Sequence, residues 1–294
     1  MNRIIKYQIT TPTKNIQDFL KDLGYSHAVI SHLKKTPNGI LRNNIWAYTR
    51  DKLSIGDTLT ICIAENSSSA NIIPVNLPFT IIYEDADLMI INKPCNMPIH
   101  PSQGNHDNTL ANAIAYYFQC KNEPFVYRCI NRLDRDTTGL LILAKHAYSA
   151  SLLSSMVGDR LIHREYLAIV SGTVTGCGVI DAPIGRLDGS TIERCIDYHT
   201  GETAITHWKQ LPVAIKEGYS LVSITLETGR THQIRVHMKH IGHPLPGDFL
   251  YHPDYSLIQR QALHSYKLNF LHPITKETMN FTCDLPEDMK QFLL

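Results

Sequence analysis

The stretch INRLDRDTTGLLILAK at residues 130–145 joins a dense group of charges to a purely aliphatic run. Arg132, Asp134, Arg135 and Asp136 fall within five positions, and residues 140–144 are all apolar. A short apolar run of this kind predicts a buried strand. Charges at the entrance of a buried strand are costly unless each is paired. The stretch alone therefore fits either a surface salt-bridge cluster or a functional group that the strand holds in place.

A second polar cluster lies at a predicted strand-to-helix corner. YSLVSITLETG (219–229) alternates apolar and polar residues, as a half-buried strand does. In the following THQIRVHMKHIG, Ile234, Met238 and Ile241 recur at helical spacing. We expect Thr231 to cap this helix and Gly242 to end it. Corners of this kind commonly present polar side chains to a binding site.

The corner supplies possible partners for the first cluster. Arg230 and Arg235 each carry a guanidinium that could pair with Asp134. Such a pair would keep the carboxylate ionised. An ionised and oriented aspartate acts as a nucleophile or an electrostatic stabiliser rather than as a proton donor.

The bulk composition indicates a globular chain of one large or two ordinary domains. It has 294 residues, 43% hydrophobic and 19% charged. Its apolar runs are shorter than the roughly 18–20 residues that span a bilayer, and its N-terminus lacks the apolar core of a signal peptide. Seven cysteines without a CxxC pair are typical of reduced thiols. We therefore expect a soluble, cytoplasmic protein.

Charge is distributed unevenly along the chain. Residues 1–78 carry nine Lys and Arg against five Asp and Glu, whereas residues 79–294 carry 19 against 22. The N-terminal part combines two predicted short helices, NIQDFLKDLG and SHAVISHLKK, with short strands after them. This arrangement resembles the αL RNA-binding motif of a small-subunit ribosomal protein and many RNA-modifying enzymes. The basic residues expected to contact RNA are Lys34, Lys35, Arg42, Arg50 and Lys52.

The polar stretch ENSSSANIIPVNLP predicts a linker between two domains. We predict a domain at residues 1–65, a linker at 66–78 and a second domain at 79–294. Strands and helices interleave irregularly in the second domain, which favours a mixed α+β sheet over a doubly wound one.

Several site classes lack their sequence signals. The chain has no HExxH, GxGxxG, GxxxxGK[ST] or GxSxG motif. His237, His240 and His243 recur every three residues, but Gly242 should end the helix before the last of them. We therefore predict no catalytic metal and no nucleotide cofactor.

Five motifs in order resemble the RluA-type pseudouridine synthases. NRLDRDTTG is similar to their HRLDxxTSG motif, INKPCNMPIHPS to NKPxGxxxHP, and REYLAIVSG to KxYxAxVxG. TGRTHQIRVHMKHIGHPLPGDFLYH and LHSYKLNFLHP resemble the two remaining family blocks. The resemblance covers about residues 80–286. It implies the pseudouridine synthase fold, with a mostly antiparallel central sheet flanked by helices.

The resemblance also implies an activity and a set of site residues. The activity is isomerisation of uridine to pseudouridine in ribosomal or transfer RNA, without a cofactor or a metal. We further expect a monomer that has no obligate protein partner and does not bind a membrane. The catalytic positions fall on Asp134, Tyr166 and Arg235. The substrate-binding positions fall on Arg132, Arg230, His232, Lys93, His100, Ile234 and Leu263.

This chain departs from the family motifs at four positions. Asn131 replaces a histidine, Thr138 a serine, and Cys95 with Asn96 replaces a small residue followed by glycine. Asn is among the few residues that adopt the left-handed conformation of such a glycine.

Two other classes of function remain as alternatives. One is a non-catalytic RNA-binding protein on the same fold. The other is a glycoside or nucleoside hydrolase, which needs a second carboxylate such as Asp136 or Asp248.

Overall fold

The computed structural model describes residues 2–11 and 15–294. The chain forms a four-stranded sheet near its N-terminus, a nine-stranded sheet and a two-stranded ribbon. This arrangement confirms the predicted α+β class. Within the described residues, no helix is long and apolar enough to cross a membrane.

The N-terminal unit is an antiparallel sheet with two helices. Its elements are β1 (Asn2–Gln8), α1 (Ile16–Asp22), α2 (His27–Lys35), β2 (Ile40–Arg42), β3 (Ile45–Trp46) and β4 (Thr58–Ala64). The strand order is β1-β4-β2-β3. The side chain of Ser26 caps α2 as predicted, because it accepts a hydrogen bond from the Val29 amide at 3.3 Å. The sequence did not predict β1, which pairs with β4 along its whole length.

The large unit is built around the nine-stranded sheet. Its strands are β5 (Thr80–Glu84), β6 (Leu88–Lys93), β7 (Thr138–Ala144), β8 (His163–Ser171), β9 (Cys177–Asp181), β12 (Ile205–Gln210), β13 (Tyr219–Leu226), β14 (Leu263–Leu271) and β15 (Thr278–Thr282). The ribbon consists of β10 (Ile184–Arg186) and β11 (Arg194–Ile196), and the helices are α3 (Leu110–Cys120), α4 (Ala147–Gly158), α5 (Gln233–His240) and α6 (Glu287–Lys290). The order is β5-β6-β7-β14-β8-β13-β12-β9, with β15 also on β14. Among the described pairings only that of β7 with β14 is parallel, so the sheet is mixed and mostly antiparallel, as predicted.

Strand β7 is buried along its whole length, which confirms the prediction from its aliphatic run. Successive side chains of a strand point to opposite faces of the sheet. Accordingly, Leu141 and Leu143 join the core that contains Ile114 of α3. Leu140 and Ile142 join the opposite core, to which Leu153 of α4 belongs. Because helices cover both faces, the loop before β7 is anchored to the most rigid part of the sheet.

Helix α5 begins one residue later than the sequence indicated. Its N-cap is His232 rather than Thr231, and the His232 side chain makes no capping bond. His232 adopts the left-handed conformation at φ 59°, which is uncommon for a residue other than glycine. At the other end Gly242 has φ 84° and ends the helix as predicted. The unusual corner turns the first residues of α5 towards the loop before β7.

The N-terminal unit packs against the large unit through aromatic and charged contacts. The rings of Tyr25 and Tyr148 stack with centroids 3.6 Å apart. Arg3 binds both carboxylate oxygens of Asp87 at 2.7 and 3.0 Å. Asp85, Asp87 and His272 come close enough together to resemble a metal site. Because the Arg3 guanidinium already neutralises Asp87, this group serves as an ion-pair junction.

Residues 66–78 form no helix or strand. The segment is nevertheless bound to the large unit, since the Ser69 amide donates to the Phe125 carbonyl at 3.2 Å. The Val75 amide likewise donates to the Asn112 carbonyl at 3.1 Å. The domain boundaries derived from the sequence remain a prediction.

Candidate active site

The loop before β7 is held by hydrogen bonds on both sides of Asp134. The Asn131 side-chain oxygen accepts from the Ile142 amide of β7 at 2.9 Å, so the residue that replaces the family histidine still ties the loop to the strand. The Thr137 amide donates to the Asp134 carbonyl at 3.1 Å and closes a turn. The Asp134 side chain stays 27% exposed. The loop therefore presents one carboxylate from a fixed backbone.

Arg235 connects that carboxylate to a second, buried one. Its Nη1 donates to Asp134 Oδ2 at 2.9 Å, while Nε and Nη2 donate to the two oxygens of Asp248 at 2.7 Å each. The side chain of Arg235 is 1% exposed and that of Asp248 is fully buried. Burial alone disfavours the guanidinium, but the hydrogen bonds and charges of Asp248 and Asp134 raise the pKa of Arg235 above its usual value. Arg235 is therefore a permanent cation with a fixed orientation.

Asp248 is a site residue whose role the sequence did not reveal. Its Oδ1 also accepts from the amides of Leu250 and Tyr251, at 3.1 and 3.2 Å. A planar guanidinium held at two points by one carboxylate has its third donor direction fixed as well. Asp248 thus aims Arg235 at Asp134. The available signal was the GD pair in the last part of the long motif, in which Asp248 was considered only as the second carboxylate of a hydrolase.

Asp134 borders two adjoining hollows, one of about 340 Å³ and one of about 530 Å³. The first is lined by most of the residues that the sequence singled out. They are Arg132, Asp134, Tyr166, Arg230, His232, Ile234, Arg235 and Leu263. His100 lines the second hollow, together with Asp134 and Arg235. Nine of the ten predicted catalytic and substrate-binding residues thus line the two hollows. They come from the loops at 100 and 132–134, from the corner at 230–235, and from strands β8 and β14.

Lys93 is the exception, and its contact with substrate remains a prediction. It is fully buried and lines neither hollow. Its ammonium donates to the backbone carbonyls of Pro94, Met97 and Arg135 at 2.7, 3.0 and 2.8 Å. Burial lowers the pKa of Lys93 to about 7. Lys93 therefore joins the 93–97 turn to the loop that carries Asp134, and Asn96 within that turn takes the left-handed φ of 53° that the family glycine would have.

Tyr166 and two aliphatic residues give the first hollow a flat, apolar side. Tyr166, Ile234 and Leu263 are each at most 5% exposed and line the same wall. Burial raises the pKa of the Tyr166 hydroxyl, and the neighbouring Arg164 opposes that shift. The hydroxyl therefore keeps its proton at neutral pH. An aromatic face with aliphatic neighbours matches the shape and polarity of a nucleobase.

The rest of the wall is basic. Arg164 lies two residues before Tyr166 on β8, so it projects from the same face of that strand. This spacing could have identified Arg164 from the sequence. Arg230 pairs with Glu202 and donates to the Thr203 carbonyl at 3.0 Å. The open question of which arginine meets Asp134 is thus resolved in favour of Arg235.

His232 is fixed by a neighbouring hydroxyl. The Tyr251 hydroxyl accepts from the Arg194 amide at 2.9 Å and is hydrogen-bonded to His232 Nδ1 at 2.9 Å. Burial lowers the pKa of His232. The imidazole therefore has a fixed position in the lining of both hollows.

The two carboxylates required by a hydrolase are not available in this site. Asp248 is enclosed by Arg235 and by backbone amides. Asp136 accepts from Arg135 Nε and Nη2 at 3.0 and 2.8 Å, and from the Asn96 amide at 3.2 Å. Asp248 lines neither hollow, and Asp136, which lines the second hollow with Asp134, is already held by Arg135 and the Asn96 amide.

Comparison with known proteins agrees with this geometry. The family model described as RNA pseudouridylate synthase matches residues 87–240. The uncharacterized RNA pseudouridine synthase YjbO of Bacillus subtilis is 36% identical over 279 residues, which are 95% of this chain and 98% of that protein. The ribosomal large subunit pseudouridine synthase D of Haemophilus ducreyi is 38% identical over 270 residues, covering 87% of this chain and 81% of the relative.

A solved structure shows the same fold. The human RNA pseudouridylate synthase domain containing 1 is 26% identical and superposes with a TM-score of 0.58, covering 70% of this chain and 83% of the human one. Two relatives are more than 30% identical to this chain over most of both sequences, and the family model matches more than half of it. Together these matches establish the family. The chain belongs to the RNA pseudouridylate synthase family and is an isomerase of the RluA type.

Proposed function

We propose that Asp134 is the catalytic carboxylate with which this chain converts uridine to pseudouridine in structured RNA. One observation carries the proposal. Asp134 Oδ2 is fixed by Arg235, Oδ1 has no hydrogen-bond partner among residues 2–11 and 15–294, and the residue borders both hollows. The site therefore offers one oriented carboxylate oxygen beside a slot for a base.

The reaction fits these groups because it is an isomerisation within one nucleotide. The bond from the ribose to N1 of uracil breaks, the base turns, and a bond forms from the ribose to C5. C5 then loses its proton and N1 takes one up, so the product is an isomer of the substrate. Asp134 starts this sequence by attack on the anomeric carbon, by attack on the base or by removal of a ribose proton. Each route needs an ionised carboxylate at the glycosidic bond. No step requires an electron acceptor or an activated phosphate, so we propose that no cofactor and no metal takes part.

The target base must first leave its stack, which costs a few kcal/mol. Tyr166, Ile234 and Leu263 supply the surface that receives it. Basic groups at the mouth then contact the flanking phosphates and fix the register of the RNA. We assign this role to Arg132, Arg164, Arg230, His232 and His100.

We also propose that the N-terminal unit adds RNA affinity. Lys35, Arg50 and Lys52 make no ion pair with any residue in the described part of the chain, and Lys34 contacts only the Gln17 amide oxygen, at 3.3 Å. Arg42 differs, because it is paired with Asp57 at 2.7 Å. The four cations without a carboxylate partner are therefore the ones available to phosphates.

The name of the Haemophilus ducreyi relative supports large-subunit ribosomal RNA as the substrate. We propose this RNA, with transfer RNA as the alternative that the test below separates. We further propose that the enzyme acts in the cytoplasm as a monomer, with no obligate protein partner and no membrane attachment.

The test is tritium release from RNA labelled at C5 of uridine, followed by mapping of pseudouridine in cellular RNA with and without the gene. We expect stoichiometric release and one or a few positions in large-subunit ribosomal RNA. Positions confined to transfer RNA would correct the substrate. Free uracil instead of pseudouridine would indicate a hydrolase, and RNA binding without any product would indicate a non-catalytic scaffold.

A further inference from the structure

The N-terminal unit carries two exposed aromatic side chains at one place. Trp46 is 45% exposed and Tyr48 is 53% exposed. Their ring centroids lie 4.4 Å apart at an interplanar angle of 74°. The two rings line a hollow of about 290 Å³, the floor of which is formed by the buried residues Leu33, Ile40 and Ala47. A concave, exposed aromatic surface of this kind marks a binding site more often than a plain surface does.

The backbone beneath the rings is fixed. Asn43 and Asn44 both have positive φ, 51° and 66°, as a two-residue hairpin turn between β2 and β3 requires. The side-chain Nδ2 of Asn43 donates to Asp57 Oδ1 at 2.7 Å, which anchors the turn. Beyond the hairpin, the Tyr48 amide donates to Asp51 Oδ2 at 2.8 Å. The aromatic pair is thus presented in one geometry before any ligand arrives, which lowers the entropic cost of binding.

Cations border the same hollow. The Arg50 guanidinium carbon lies 5.0 Å from the centre of the Tyr48 ring, within the range of a cation–π contact. Lys34, in the last turn of α2, also lines the hollow. Arg50 is without an ion pair in the part of the chain that the structure describes, so its charge is available to a ligand.

We propose that Trp46 and Tyr48 form a stacking site for one unpaired RNA base, with Arg50 and Lys34 bound to the phosphates beside it. A single-stranded nucleotide combines a flat π-face with an adjacent negative charge, and this hollow offers the complement of both. A paired base keeps its faces stacked within the helix, so a duplex cannot use the site. The inference rests on the proposed function, since it names the kind of RNA that the N-terminal unit reads.

The experiment uses the full-length protein and three short RNA probes of equal length. One is an unstructured oligoadenylate, one is an abasic strand with the same phosphates, and one is a blunt duplex. Trp46→Ala and Tyr48→Ala should each weaken oligoadenylate binding about 5- to 150-fold. They should leave the abasic and duplex affinities within about twofold of wild type. Because no cation is removed, the salt dependence should not change.

Three further variants separate the effect of base stacking from the effects of charge and of lost apolar surface. Ile45→Ala removes an exposed apolar side chain from the opposite face of the same strand and should leave all affinities unchanged. Arg50→Gln should weaken oligoadenylate and abasic strands alike and reduce the salt slope by about 0.7. Trp46→Phe should keep most of the affinity, since the ring remains.

Fluorescence reports contact at the site directly. The chain has two tryptophans, so a Trp208→Phe background leaves Trp46 as the single indole. Oligoadenylate should quench its emission and the abasic strand should not. If Trp46→Ala loses the same affinity for all three probes, or loses none and oligoadenylate causes no quenching, the stacking site is contradicted. The hollow would then be a candidate site for a protein partner. Tritium release by the wild type separates this failure from failure of the proposed function, because an active enzyme with unchanged Trp46→Ala binding contradicts only the stacking site.

Discussion

Arg235 donates to Asp134 at 2.9 Å although the two residues are 101 positions apart in sequence. The bond joins the first turn of α5 to the loop before β7, and so ties two of the longest motifs together at one carboxylate oxygen. Asp248 makes the bond directional, since it holds the other two donor positions of the same guanidinium.

Arg235→Lys should lower kcat about a hundredfold or more, because lysine lacks the fork that serves two carboxylates and a small displacement of a catalytic group has effects of this size. Asp248→Asn should act in the same direction with little change in KM, although Asp248 lines neither hollow. Steady-state kinetics on a defined RNA measures both. Arg135→Lys, which changes a half-exposed arginine of the loop before β7, is the control and should stay near wild type. Loss of activity in Arg135→Lys equal to that in Arg235→Lys would mean that the effect is not specific to the arginine that binds Asp134.

Substitutions of Tyr166 test whether the first hollow receives the base. Tyr166→Phe keeps the ring and removes the hydroxyl, so RNA affinity should be retained while kcat falls about 10²-fold or more if the hydroxyl transfers a proton. Tyr166→Leu also removes the stacking face, which contributes about 1–3 kcal/mol per base. Single-turnover kinetics with independent binding measurements distinguishes the two effects. Affinity lost equally in both variants would show that the hydroxyl, and not the ring, holds the RNA.

Unfolding should become easier in mild acid because of two buried histidines. His237 accepts from the Thr206 hydroxyl and donates to the Ala182 carbonyl, both at 2.9 Å, and His264 contacts Thr138 and the Cys283 carbonyl at 2.8 and 3.1 Å. Burial lowers the pKa of both imidazoles below the usual value of 6.5. As the pH falls through that value, these histidines become protonated in the unfolded chain but stay neutral in the folded chain. The free energy of unfolding should therefore fall, by at most about 1.4 kcal/mol per pH unit for each histidine.

Denaturant titrations between pH 7 and pH 5 measure this slope. His237→Gln removes one titrating group and should give a shallower slope, even if the variant is less stable at pH 7. An identical slope in the variant and the wild type would mean that His237 is protonated in the folded chain.

The cations of the N-terminal unit can be tested one at a time. Lys35→Gln and Lys52→Gln should each weaken binding of all RNAs similarly and reduce the salt slope by about 0.7–0.9, since each removes one phosphate contact. The slope of log Kd against log salt is the measurement. Removal of the whole unit would be a poor test, because Tyr148 packs into the core of that unit and Arg3 is bound to Asp87. Unchanged slopes in both variants would place the RNA on another face.

The sequence predicted those parts of the molecule in which local pattern and burial agree. The aliphatic run of β7 and the strand-to-helix corner were predicted from their apolar patterns. The cluster at Asp134 was assigned to a site only when the second cluster and the family motifs were added to it. Asp248 was missed as the partner of Arg235, since a carboxylate in a Gly-Asp turn has the same pattern whether or not it is buried. The burial of Lys93 was not predicted, because the three carbonyls that bind it belong to the backbone and have no sequence signal. Strand β1 was missed because its partner residues in β4 lie 50 to 62 positions away.

The most direct test of the account is tritium release from RNA labelled at C5 of uridine by purified Asp134→Asn, compared with Asp136→Asn. Both variants replace a carboxylate of the same loop by a near-isosteric amide, and only the first carboxylate borders the base slot and Arg235. We predict that Asp134→Asn binds RNA with wild-type affinity and releases no tritium, while Asp136→Asn remains active. Substantial release by Asp134→Asn, in a preparation free of host synthase, would contradict the account, because the charges at 132–136 would then serve structure alone.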